Sequence, residues 1–227
     1  MPPLFRDRRD AGRQLAAGLR AFAGRPGVIV LGLPRGGVPV AAEVAAALGA
    51  PLDALVVRKL GVPGHEELAM GAIASGGLRV VNEDVLRDLR LPRSAVDAAE
   101  RREREELLRR ERAYRGDRPF PDLRGRTVIV VDDGLATGAT MRAALRAVRR
   151  EGPAWLVAAA PVGARSVQAS LAAEADELVL AATPEPFEAV GAWYGAFPHT
   201  SDDEVRAALA AAWAGTPGDS GDGPAPV

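Results

Sequence analysis

The chain contains no cysteine, which excludes disulfides and thiolate metal sites and is neutral about redox compartment. It has no apolar run long enough to span a bilayer. Its opening, Met1-Pro-Pro-Leu-Phe-Arg-Asp-Arg-Arg9, lacks the apolar core of a signal peptide, so a cytoplasmic location is expected. An excess of either charge is missing as well. The 29 Lys and Arg residues nearly balance 30 Asp and Glu, without the basic surplus usual in nucleic-acid binders. No internal repeat is visible. What remains is ample for one core: 227 residues, 48% of them hydrophobic, enough to exclude wholesale disorder.

The densest signal lies at residues 128–140, Val-Ile-Val-Val-Asp-Asp-Gly-Leu-Ala-Thr-Gly-Ala-Thr. Four aliphatic, mostly β-branched residues in a row predict a strand buried on both faces. Two carboxylates, Asp132 and Asp133, follow at its carboxyl end. Small residues and threonines then lead into a helix predicted over 141–150. Such a strand–turn–helix junction forms an anion site, because the first N–H groups of a helix have no internal partner. Thr137 and Thr140 add hydroxyl donors. Carboxylates beside a phosphate cradle repel it unless they face ribose hydroxyls or a metal ion, so the segment predicts a sugar-phosphate site. A P-loop is excluded because no Lys follows Gly138, and no Gly-x-Gly-x-x-Gly follows any strand.

Around this centre the pattern alternates. An amphipathic helix is predicted over 9–23, a strand over 28–32, a helix over 40–48 and a strand over 52–57. Past Arg58 and Lys59 the chain is expected to be irregular through Gly61, Pro63 and Gly64, before short strands at 69–74 and 78–81. Asn82 is placed to cap a short helix, and Ser94 a long one reaching Tyr114. Nearly every residue from 100 to 112 is charged, with opposite signs four apart (Glu100/Arg104, Glu105/Arg109, Glu106/Arg110). Each such pair is worth about 0.2–0.5 kcal/mol, which predicts a solvated, self-paired arm suited to packing on a partner subunit. Further strands at 155–161 and 177–181 flank a helix at 164–173. Ser201 and Glu204 form a capping box for a helix to about 214. The Gly- and Pro-rich residues 215–227 are expected to be a disordered tail. The fold predicted is α/β: a doubly wound, mainly parallel sheet flanked by helices, with a charged helical insertion at 94–115. Residues 1–214 are expected to form one domain.

The 132–140 segment resembles the phosphoribosyl pyrophosphate (PRPP) motif of type I phosphoribosyltransferases. The resemblance implies that fold, and transfer of 5-phosphoribosyl from PRPP to a nitrogenous base with release of pyrophosphate. It implies that Asp132 and Asp133 hold the ribose hydroxyls. Gly134, Leu135, Ala136, Thr137, Gly138, Ala139 and Thr140 then surround the 5′-phosphate. It also implies Mg²⁺, held mainly by PRPP and in part by Asp132 and Asp133, and a homodimer engaged in nucleotide metabolism, away from membranes and nucleic acid. Leu33-Pro-Arg-Gly-Gly37 matches the family's pyrophosphate loop, giving PRPP contacts to Arg35, Gly36 and Gly37 and a candidate cis peptide before Arg35. Arg58 and Lys59 match an Arg-Lys pair of adenine-type members, where they reach the leaving pyrophosphate, and residues 58–71 match a mobile catalytic loop. Ala136 stands where 6-oxopurine members carry an aspartate base. The aromatic-rich stretch from Phe187 to Phe197 lies within a variable C-terminal hood and cap at 183–214, with Phe187, Trp193 and Tyr194 as stacking candidates for the acceptor. Two alternatives stay open at this point: a non-catalytic PRPP or nucleotide sensor on the same fold, and a hydrolase using water as acceptor.

Overall fold

A computed structural model describes residues 2–214; the tail expected at 215–227 lies outside them. Five strands form a wholly parallel sheet: β1 (Val28–Gly32), β2 (Leu52–Ala54), β6 (Thr127–Val131), β7 (Trp155–Val162) and β8 (Glu177–Ala182), in the order β2-β1-β6-β7-β8. Alternate side chains of these strands feed two cores, one on each face. Val28, Val30, Ile129, Val131, Val157 and Ala159 pack on the side of α1 (Arg8–Gly18) and α2 (Gly37–Leu48). Ile29, Leu31, Val128, Val130, Leu156 and Ala158 pack on the side of α5 (Ala139–Arg149) and α6 (Arg165–Leu171). The four-residue aliphatic run of β6 is fully buried, because it lies in the middle of a sheet covered on both sides.

From β1 the chain passes outward to β2, whereas β6, β7 and β8 run the other way. The order therefore reverses between β1 and β6. The carboxyl ends of strands at such a switch point form the crevice where open α/β sheets bind ligands. Both candidate loops, 33–37 and 132–138, leave the sheet there.

The predicted strand at 52–57 divides. Only Leu52–Ala54 joins the parallel sheet; the chain then turns off into β3 (Val57–Val62), part of a second, antiparallel sheet with β4 (His65–Ala74) and β5 (Leu78–Val81). The apolar run hides this break. It is imposed from outside, by the Ser75 hydroxyl accepting from Val56 N and the Arg115 guanidinium donating to Ala54 O. The segment expected to be an irregular loop is likewise a hairpin. Pro63 and Gly64 make its turn, with Gly64 at φ +78°, a conformation glycine adopts without strain.

The small sheet lies between α5 and α4 (Arg93–Arg115). Cross-strand register sets Arg58, Ile73 and Arg79 on one row, and Lys59, Ala72 and Val80 on the next. The first row faces α4: Arg58 pairs with Glu103, and Arg79 with Asp97 and Glu100. The charged helix thus packs within the chain against a basic face. Its start also differs from expectation: Pro92 is the N-cap and Ser94 lies inside the helix, because Pro92 is held extended ahead of the first turn. Of the pairs expected along it, Glu100–Arg104 and Glu106–Arg110 form, and Arg109 turns to Glu106 three residues back. Asn82 caps α3 (Glu83–Asp88) as expected. Ser201 and Glu204 exchange the two bonds of a capping box at α7 (Asp202–Ala214). That helix packs on α2, α4 and β2, so the C-terminal cap divides, and from the segment before it Val190 and Tyr194 reach the motif at Gly134 and Asp133. No described helix is long and apolar enough to cross a membrane.

Candidate active site

The site begins where β6 stops. Asp132 N donates to Ala159 O, so the strand pairing runs one residue past Val131 before the chain turns. The Asp132 carboxylate then accepts from Asp133 N at 2.9 Å. Burial, and next the neighbouring Asp133 charge, push the Asp132 carboxyl well above its usual range; burial raises Asp133 too, against the opposing pull of Arg8. Two adjacent, partly buried acids resist ionising together. A ligand that brings hydroxyl donors or a cation relieves that cost.

Past the acids the loop is anchored from below and open above. Leu135 is buried, donating to Val162 O and accepting from Ala164 N, both at 2.9 Å. Ala136 and Thr137 are exposed. The amides of Ala136, Thr137 and Gly138 donate to nothing among the described residues. Gly138 caps α5 with φ +67°, so these free N–H groups stand at the N-terminus of a helix, where an anion is favoured. Thr140 is exposed on the first turn of that helix.

The 33–37 loop is tied alongside: Leu33 N donates to Val131 O at 2.8 Å. The Pro34–Arg35 peptide is cis, in line with the expectation. Gly36 and Gly37 touch the motif so closely that side chains are excluded. A Cβ on Gly36 would stand 1.9 Å from Asp133 Oδ2, and one on Gly37 would stand 2.7 Å from Val131 O. Arg35 is half exposed and lies 3.9 Å from Asp202 at the start of α7.

Arg58 and Lys59 part company. Adjacent strand residues point to opposite faces, and Arg58 is engaged by Glu103 of α4. Lys59, the chain's single lysine, is exposed and lines a pocket of about 290 Å³ with Asn82, Ala139, Arg142 and Arg146. That pocket runs along the flank of α5, whose first turn follows the 132–138 loop. Lys59 therefore faces the motif's helix, and Arg58 faces away from it.

The aromatic candidates turn inward. Trp193 and Tyr194 are each 6% exposed, packed with Phe5, and Phe187 stacks on Trp193 at 6.3 Å. Neither ring of the Trp193–Tyr194 pair offers a free face for stacking. Tyr194 instead donates its hydroxyl to Asp133 O, holding the motif from behind. The exposed aromatic of this stretch is Phe197. Residues 4–6 run beside 193–196 in backbone hydrogen bonds, which explains why the aromatics are buried: the N-terminus covers them.

One site residue was invisible in the sequence. Arg8, at the start of α1, donates Nε to Asp133 Oδ2 at 2.8 Å across 125 residues of chain. No spacing rule connects the two. A cluster of arginines at 6–9 was the sole hint.

Asp132 and Asp133 supply hard oxygen donors, but no group of three or more His, Cys, Asp or Glu that could hold a metal occurs among the described residues. That set fits Mg²⁺ carried chiefly by substrate phosphates, since this ion is commonly bound through one or two carboxylates with water and phosphate completing its shell. It does not form a protein cage.

Comparison with known proteins agrees with the geometry. The chain matches the phosphoribosyl transferase domain family over residues 6–175. It is 54% identical over 206 residues to a Mycobacterium tuberculosis protein named, provisionally, a phosphoribosyl transferase, covering 91% of this chain. The match takes in 46% of that relative, so the chain spans about half the length of the curated relatives it matches. Among solved structures, TT1426 from Thermus thermophilus is 45% identical with a TM-score of 0.83, covering 90% of this chain and 97% of that one. The AQ2163 protein from Aquifex aeolicus, at 13% identity, TM-score 0.50 and coverage of 81% and 78%, shares the fold.

Proposed function

Because the chain belongs to the phosphoribosyl transferase domain family, we propose that it transfers 5-phosphoribosyl from PRPP to a nitrogenous base and releases pyrophosphate. The observation that carries this reading is a convergence at the β1/β6 switch point. A partly buried acid pair stands there beside a row of unpartnered amides from Ala136 to Gly138.

The roles follow from the chemistry. The amides of 136–138, with Thr137 and Thr140, anchor the 5′-phosphate at the positive end of α5. Asp132 and Asp133 bind the ribose hydroxyls, which resolves the cost of their close burial. As pyrophosphate departs, positive charge grows at the ribose C1, and the two carboxylates favour it electrostatically. The backbone of Gly36 and Gly37, with the Arg35 guanidinium, receives the leaving phosphates. Asp132 and Asp133 are the residues that would hold Mg²⁺, which would supply charge neutralisation for the phosphates. Lys59 assists from the flank of α5; Arg58, held by Glu103, supports the hairpin. Anchoring a phosphate remote from C1 lets binding energy act at the reacting centre.

A second reading, a non-catalytic PRPP or nucleotide sensor, draws on one observation: the Trp193 and Tyr194 rings are buried and present no free stacking face for a base. Incubation with PRPP, Mg²⁺ and a panel of bases, with pyrophosphate as readout, separates the cases. Base-dependent release is expected. Release without base would show hydrolysis, and PRPP binding without release a sensor. Absence of PRPP binding in calorimetry would reject the donor site altogether.

A further inference from the structure

We propose that Arg8 is a positioning residue of the donor site: it holds the Asp133 carboxylate and cancels one of two adjacent negative charges, so that a polyanionic sugar phosphate can bind beside them. The inference rests on the reading above, in which Asp132 and Asp133 receive the ribose of PRPP.

Three contacts use the guanidinium in three directions. Nε donates to Asp133 Oδ2 at 2.8 Å, Nη1 donates to Pro198 O at 2.7 Å, and the planar group lies 3.8 Å from the centre of the Phe197 ring. A rigid, planar donor fork suits such a junction, where an ammonium would serve one partner at a time. The side chains of Arg8 and Asp133 are 11% and 16% exposed, so their attraction is screened far less than that of a surface pair. Gly36 completes the arrangement. A Cβ there would meet Asp133 Oδ2 at 1.9 Å and Arg8 Nε at 3.0 Å, so the glycine leaves free the space in which the two charges join.

A purely structural strut is a poor account of Arg8. The N-terminus is already fastened to the C-terminal segment without it, by Leu4 N and Phe5 N donating to Trp193 O, Gly195 N to Phe5 O, and Ala196 N to Arg6 O. The Asp133 backbone is separately held by the Tyr194 hydroxyl. What Arg8 adds is control of the carboxylate. Among the described residues it is the sole cation in ion-pair contact with either acid. Without it, two neighbouring carboxylates would face a substrate that itself carries several negative charges. The same side chain touches Phe197 and Pro198, so the aromatic-rich C-terminal segment and the acid that binds the ribose are held by one group.

The test uses the full chain: PRPP binding with Mg²⁺ by calorimetry, with a melting curve for each protein. The set is wild type, Arg8→Ala, Arg8→Lys, Asp133→Asn and the Arg8→Ala/Asp133→Asn double variant. Arg8→Ala should weaken PRPP binding on the order of tenfold, with Arg8→Lys recovering part of the loss through its charge. Adding Arg8→Ala to Asp133→Asn should cost little further, because the arginine acts through that carboxylate. Wild-type affinity in Arg8→Ala would overturn the proposal, as would an equal loss in the Asp133→Asn background. Wild type failing to bind PRPP would sink the donor reading and this inference with it. Melting curves separate a fold defect from a site defect: a strut would lower the melting temperature and leave affinity below it unchanged, which counts against positioning.

Discussion

Asp132 stores an electrostatic cost that the unliganded protein carries at neutral pH. Its carboxyl is pushed up by burial and by Asp133. A carboxylate raised in the folded state stabilises the fold fully below its ordinary value and withdraws that stability as pH rises through the raised value. Asp132→Asn removes the titration and keeps an oxygen for Asp133 N. In ligand- and Mg-free buffer the variant should melt above wild type at pH 7. The difference should fade as pH falls toward about 4, the ordinary aspartate range, while PRPP affinity drops. A variant that melts lower at every pH would contradict the assignment. Gly36→Ala makes a harsher case. The new methyl meets the Asp133 carboxylate, so the loop must move, and PRPP binding measured by calorimetry should be lost together with part of the stability. At this scale the acid pair was legible, since strand, acids and small residues are contiguous. Arg8 was not, because 125 residues separate it from Asp133 and only folding makes them neighbours.

At the scale of elements, most strands and helices could be read because each carries its own period or cap, as at β6 and at the capping box of α7. The failures share one cause: a boundary imposed by another part of the chain. The break after β2 is set by Ser75 and Arg115, whose partners lie 19 and 61 residues away. The charged helix α4 reads as a free arm, yet its acids meet a basic row that exists only once β3 and β5 align. Register also divides Arg58 from Lys59, and this yields a test. Arg58→Ala breaks a pair whose side chains are each about a third exposed, so stability should fall by no more than about 1 kcal/mol, with pyrophosphate release nearly unchanged. Lys59→Ala should cut release severalfold or more at full stability. Equal losses in both variants would show that the hairpin swings both cations into the site during turnover.

For the whole molecule, a buried ion pair ties the charged helix α4 to the parallel sheet. Arg115, at the end of α4, donates to Asp53 of β2 at 3.0 Å, with side chains 4% and 5% exposed, and also to Ala54 O. Burial pushes the Asp53 carboxyl up, and Arg115 pulls against that shift. Replacing one partner strands the other charge, which costs about 3–5 kcal/mol. Arg115→Met should therefore melt far below wild type in chemical denaturation, in one transition if residues 2–214 fold as one unit. Two separated transitions would mean that the antiparallel sheet unfolds on its own.

By itself the sequence determined the doubly wound sheet, the acid pair with the small-residue loop after it, and the family, because each is written in contiguous residues whose period or chemistry needs no distant partner. Tertiary structure alone decided what surrounds them. It placed the loops together at the switch point, turned Lys59 toward the motif and Arg58 from it, buried the aromatics under the N-terminus, and set Arg8 on Asp133. Each of these is a contact between segments far apart in the chain, settled by packing and charge pairing that no local pattern encodes.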